Sequence, residues 1–216
     1  MRFQKFSCAA AGITAALAAF GSIPVHGKDS DILYRAELLP LNTDVTGSKA
    51  TGEVIFEVSG DQLTIRVIAD EVPPDVEHLQ HFHGFPEGSR AASCPTGRAD
   101  ANGDGIIDLI ETEPLAGTTM VPFHDDPVSM EIVKDTYPVA GVSGSYSYAK
   151  TLSLKALQDS FGPKFGGQEL DLGKRVVFLH GVPDSTMLPP TVASLGNIPA
   201  QVTLPIACGE IKRVES

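Results

Sequence analysis

An all-β fold, an antiparallel sandwich or barrel, is what this sequence predicts, and three observations predict it. The stretch "TGEVIFEVSGDQLTIRVIAD", residues 51–70, alternates apolar and polar residues with period two on either side of Gly60 and Asp61, the pattern of a half-buried β-hairpin. Further short apolar runs, separated by clusters of Pro, Gly, Asp and Asn, recur along the chain and read as strands. Only one segment, "SLKALQDSFG", carries a helical signature: Ser153 can cap a turn or two ending at Gly162.

The elements follow in chain order. Residues 1–27 place Arg2 and Lys5 before an apolar stretch, Ala9 to Phe20, and Val25 and Gly27 at the −3 and −1 positions of a cleavage site. This reads as an export signal that takes Cys8 and His26 with it; a membrane anchor is the alternative, but the apolar run falls short of the ~20 residues a spanning helix needs. Residues 28–216, enough for one domain with a substantial core, begin with the strand "AELLPLN". The hairpin then sets Val54, Phe56 and Val58 on one face of its first arm, and Leu63, Ile65 and Val67 on one face of its second. "EHLQHFHGF", "SGSYSYAKTLSL", "KRVVFLHGV" and "QVTLPIACGEIKRV" supply the remaining strands, while 98–150 and 181–200 read as long loops.

Charge and cysteines narrow the function. The chain has 16 basic and 27 acidic residues, net −11; without Arg2 and Lys5 it is 14 against 27, net −13. Such acidity argues against nucleic acid or an anionic membrane as partner. Export predicts a periplasmic or secreted protein, in which the two cysteines left, Cys94 and Cys208, either form one disulfide or stay as two buried thiols.

Three of the six histidines, His78, His81 and His83, fall in "EHLQHFHGF". In a strand, residues two apart face the same way. His81 and His83 therefore project side by side and can close on one metal ion, with Phe82 pointing to the opposite layer; His-x-His also occurs simply as a polar strand face. Neutral imidazole suits copper or zinc. His180, at the end of "RVVFLH", offers a third ligand. His124, in "VPFHDDP", is either a fourth ligand or a surface-loop histidine beside Asp125 and Asp126.

At these residues the chain resembles the copper/zinc superoxide dismutase superfamily, including its CHRD-type secreted domains, from about residue 50 to the C-terminus with one large gap. "EHLQHFHGF" is similar to the family's His-x-x-His-x-His strand. The resemblance implies that His81 and His83 bind copper while His78 braces the site. "VVFLHGVPD" is similar to the strand ending in another copper histidine, here His180, followed four residues later by an aspartate that orients a metal-bound imidazole, here Asp184. "SLGNIPAQVTLPIACGEI" resembles the family's Gly-Asn stretch and Ala-Cys-Gly strand, which implies a bridge from Cys208 to Cys94. The implied fold is a Greek-key β-barrel. Two departures stand beside these matches. "PTGRADANGDGIIDLIETEP", after Cys94, contains none of the family's zinc-binding and bridging histidines, so the resemblance implies a copper-type site without zinc. "IPAQVTLPI" lacks the arginine with which the family attracts superoxide.

The loop after Cys94 carries a pattern of its own. "DANGDGIIDLIE", residues 100–111, fits the EF-hand-like calcium pattern D-x-[DN]-x-[DN]-G-x5-E in full. Asp100, Asn102 and Asp104 would supply side-chain oxygens, Ile106 a carbonyl, Asp108 a direct or water-mediated contact and Glu111 a bidentate carboxylate. Flanking helices are not evident; the alternative is an Asp-Gly turn leading into a strand. Three functional readings follow: an exported metal-binding protein with a three-histidine copper-type site and a calcium loop, an active copper-only superoxide dismutase, or a calcium-stabilised CHRD-like adhesion or scaffold domain without a transition metal.

Overall fold

The computed structural model describes residues 31–87 and 90–215; the expected export signal, with Cys8 and His26, lies outside the described residues. The strands are β1 (Ile32–Pro40), β2 (Thr51–Ser59), β3 (Gln62–Asp70), β4 (Gln80–Gly84), β5 (Thr118–Pro122), β6 (Tyr146–Ser153), β7 (Val176–His180), β8 (Pro205–Glu210) and β9 (Lys212–Arg213). All pair antiparallel into one curled sheet, ordered β5-β4-β7-β8-β1-β2-β3-β6, with β9 added beside β1. Among the described residues the helices are short: α1 (Thr43–Thr46), α2 (Leu109–Ala116), α3 (Leu154–Lys164) and α4 (Ala200–Thr203). None is long and apolar enough to cross a membrane. The all-β expectation is met.

Alternation builds the core. Val54, Phe56, Leu63, Ile65 and Val67 of the hairpin are fully buried and meet Phe82, Val121, Phe123, Val177 and Leu179 from across the curl. Each such side chain contributes about 1.5–3 kcal/mol relative to exposure. Phe123 sits edge-on to both Phe56 (5.7 Å) and Phe82 (6.1 Å). The ends of the sheet meet without a backbone ladder: the Tyr146 hydroxyl donates to Gln80 Oε1 (3.1 Å) and the Tyr148 hydroxyl to the His124 carbonyl (2.8 Å).

Helix α3 starts where its cap predicts, the Ser153 hydroxyl accepting the Ala156 N–H (3.0 Å), but it runs past Gly162 to Lys164. The 98–150 region is not one long loop. It contains α2 and β5, neither of which shows apolar periodicity long enough to register. Helix α2 is set by a capping box, Asp108 accepting the Glu111 N–H and Glu111 accepting the Asp108 N–H. Gly117 ends it at φ 72°, where a Cβ would collide with the Gly84 carbonyl.

On the outer face of β7 and β8 a second cluster forms from Ala116, Val176, Phe178 and Cys208. Here the Cys94–Cys208 disulfide, with Cα atoms 5.8 Å apart, joins positions separated by 114 residues and ties the loop before α2 to β8. A cross-link closing so long a loop stabilises the fold by about 4–5 kcal/mol in the chain-entropy account. A Cys94→Ser/Cys208→Ser variant should therefore show a much lower urea midpoint than the native protein; equal midpoints would refute this.

Candidate metal centre

β4 and β7 lie side by side, His81 opposite Phe178 and His83 opposite Val176. Opposed residues in an antiparallel pair share a face, and that face repeats every second residue. His81, His83, Phe178 and His180 consequently stand on the outer face, while Phe82, Val177 and Leu179 enter the core. Register shifts at Phe82/His83 and at Leu179/His180 flank the site; such bulges re-aim side chains.

The three rings converge. Centroid separations are 4.8 Å for His81–His83, 4.7 Å for His81–His180 and 6.0 Å for His83–His180. One nitrogen from each lies within 4.8 Å of the others, and this is the only such group of three or more His, Cys, Asp or Glu donors among the described residues. Hydrogen bonds identify the nitrogens. The His180 Nδ1–H donates to the Thr203 carbonyl (2.7 Å), which leaves Nε2 with its lone pair, buried and without a partner. The His83 Nδ1–H points at the Gly117 carbonyl (3.4 Å), so its Nε2 carries the lone pair, in hydrogen-bond contact with His81 Nδ1 (3.1 Å) and the Thr119 hydroxyl (3.2 Å).

The rings are neutral. Burial, and then repulsion from the charged forms of His180 and His83, hold His81 well below its ordinary value. Burial and the neighbouring His180 bring His83 down to about 3, and burial brings His180 down to about 4 against the opposing Thr203 hydrogen bond. Three neutral nitrogen donors on a site 1–4% exposed are suited to a borderline cation. The orphaned Nε2 of His180 fits an ion as its missing partner, because a buried polar atom without one is costly.

The other expected site residues fare differently. His78 is buried with Nδ1 3.0 Å from the His180 carbonyl and Nε2 2.9 Å from the Pro73 carbonyl, and it stacks on Tyr146 (5.6 Å). It braces the main chain of His180. Asp184 is exposed, and among the described residues no hydrogen bond joins it to an imidazole; the orienting contact on His180 comes from Thr203 instead. His124 is neither a fourth ligand nor a surface histidine. It is 2% exposed, with Nε2–H donating to the Glu131 carbonyl (2.7 Å) and Nδ1 accepting the Asp126 N–H (2.9 Å), so both nitrogens are spent. Thr203 and Gly117 were not foreseeable: each acts through its carbonyl, which carries no residue identity.

The acidic loop is ordered by its own amides. Asp100 accepts from Gly103, Asp104 and Gly105, Asn102 from Asp104, Asp104 from Ile106, and Glu111 from Ala101, Asn102 and Asp108. The carboxylates are turned onto these donors and do not converge on one point. The expectation that helices are absent is corrected on one side, since α2 begins inside the loop and holds Glu111 in its first turn. Asn42 clamps the loop to β8, Nδ2 donating to Ile107 and Pro205 carbonyls and Oδ1 accepting the Ile107 N–H. A groove of about 1050 Å³ runs along the disulfide side, lined by Arg35, Asn42, Cys94, Asp100 and Arg213, and does not include the histidines.

Compared with known protein families and with curated proteins, the chain matches none.

The neutral histidines set an acid limit. Unfolded, they protonate near 6.5; folded, His180 and His83 stay neutral to about 4 and about 3. Between those values the unfolded chain binds more protons, so stability is intact above pH 6.5 and is lost as pH falls, by about 1.4 kcal/mol per pH unit for each histidine. Thermal unfolding of the metal-free protein should move to lower temperature between about pH 7 and 5; a flat profile would show that the rings are not buried neutral.

Proposed function

We propose that the chain is an exported metal-binding protein on a superoxide-dismutase-like β-barrel, with a copper-type ion held by His81, His83 and His180. The observation that carries this is the convergence of three buried neutral imidazoles, one with a partnerless inward nitrogen. The ordered matches to that superfamily and the curled antiparallel sheet support the scaffold. The disulfide is compatible with an oxidising compartment. Copper bound there would supply one-electron redox chemistry. The protein's own groups hold and orient: Thr203 fixes the His180 ring, Gly117 the His83 ring, and His78 the main chain behind His180.

Binding is favoured over fast superoxide turnover on two counts. The imidazoles lie outside the large groove, at most 4% exposed. Positive charge to gather an anion is also lacking: the mature chain stands at −13, and Arg175, just ahead of β7, is buried with its guanidinium on Leu170, Gln168 and Glu169 oxygens. Copper-loaded protein should bind about one ion and show little dismutation. His81→Ala should lose tight copper, and His124→Ala should keep it. Unchanged stoichiometry in His81→Ala would remove the ligand assignment, and rapid superoxide turnover would favour the copper-only dismutase.

A second reading concerns calcium at residues 100–111. Its support is α2, which places Glu111 at the third helical position with its carboxylate folded back on Ala101 and Asn102. At the dissociation constants of extracellular modules, ~10⁻⁴–10⁻³ M, about 10 mM calcium should stabilise the protein by about 1–3 kcal/mol. No shift in the unfolding midpoint would dismiss the loop as a calcium site. Calcium binding without copper would instead indicate a scaffold domain.

A further inference from the structure

A continuous path of contacts runs from the acidic loop to His180. Asp108, 3% exposed, divides its carboxylate: one oxygen accepts the Glu111 N–H (3.0 Å) and caps α2, and the other accepts the Ala193 N–H (2.6 Å). Asp104 accepts the Thr191 hydroxyl (2.5 Å). One residue on from Ala193, the Ser194 hydroxyl bonds the Thr203 hydroxyl (2.7 Å). Thr203, the last residue of α4, turns its carbonyl to the His180 Nδ1–H.

The segment 183–199 contains no strand and exposes Met187 (91%) and Leu195 (45%). Its other side-chain tethers are Asn102 Nδ2 to the Thr191 carbonyl (3.5 Å) and Gln201 Nε2 to the Thr186 carbonyl (3.2 Å). Backbone bonds from the Gly181 N–H to the Leu204 carbonyl (3.1 Å) and from the Val182 N–H to the Gln201 carbonyl (2.8 Å) hold α4 beside the end of β7, the Ser194 hydroxyl adds a side-chain contact on Thr203 itself, and the Thr203 carbonyl selects the tautomer and rotation of the His180 ring. Outer partners of a metal-binding histidine orient the ring and tune its donor strength in this way. We propose that Asp108 and Ser194 are positioning residues for the three-histidine site, acting on His180 through residues 191–203. The functional meaning of this assignment rests on the metal-binding reading above.

Two variants test it from opposite ends. Asp108→Asn retains an oxygen to cap α2, as asparagine caps well, but turns an amide donor toward the Ala193 N–H and breaks the tie. Ser194→Ala removes the hydroxyl bridge and leaves the acidic loop intact. With Co²⁺ as probe, each variant should bind about ten-fold more weakly than the native protein, with altered visible d–d bands that report a changed ligand arrangement. In the metal-free protein, the His180 Nδ1–H proton should exchange faster by NMR in both variants. Native affinity, native bands and native exchange in both variants would overturn the proposal. Failure of the native protein to take up Co²⁺ would sink the metal reading instead, and the exchange of the His180 proton alone would then decide the positioning: faster in the variants upholds it, unchanged overturns it. If Asp108→Asn does not fold, the same measurements on Ser194→Ala decide the matter.

Discussion

The antiparallel ladder between β4 and β7 is the contact on which everything else rests. It brings His180 against His81 across ninety-nine positions of chain, and the pleat then sorts the side chains without further instruction. Phe82, Val177 and Leu179 enter the core, and the imidazoles take the other face. A slip of one residue would exchange the two sets, burying the imidazoles among Phe56 and Phe123 and exposing the phenylalanine. The core thus enforces the register that makes the site.

The outer face is not left to water. Phe178, Val176, Cys208 and Ala116 form a small apolar patch beside the rings, and the disulfide and α2 cover it. This cover drives the imidazoles to neutrality, because a charged ring there would forfeit hydration without a counter-ion. It also leaves them as donors whose lone pairs have few protein partners. Burial, neutrality and the open nitrogen of His180 are three aspects of one arrangement.

Much of the sheet was legible because its pattern is local. The hairpin around Gly60 and Asp61 and the cap at Ser153 each depend on residues within a few positions, and both stand where the sequence puts them. His81 and His83 were readable for the same reason, since period two fixes their common face. What escaped was set by tertiary contact. β5 has five residues and no alternation of its own, and the orienting groups on His83 and His180 are carbonyls; the capping box of α2 is local, but its Asp108 and Glu111 are also two positions of the calcium pattern. Asp184 and His124 show the converse error: a side chain of suitable chemistry near the motif need not point at it. The acidic loop lies between these cases, since its motif is complete while its carboxylates serve the loop's own amides.

The tyrosine closure has a mechanical corollary. The other neighbouring strands are joined by backbone ladders, from two register pairs between β1 and β8 to nine between β2 and β3, whereas β6 itself meets the far end of the sheet through two phenol hydroxyls and a stacked ring, backbone bonds joining only the segments ahead of β4 and β6. Two such bonds are worth about 1–3 kcal/mol, a small fraction of what unzipping a strand requires. This is therefore the sheet's weakest hydrogen-bonded seam, and an opening that spared every strand ladder would run along it, between Tyr148 and the segment that carries His124.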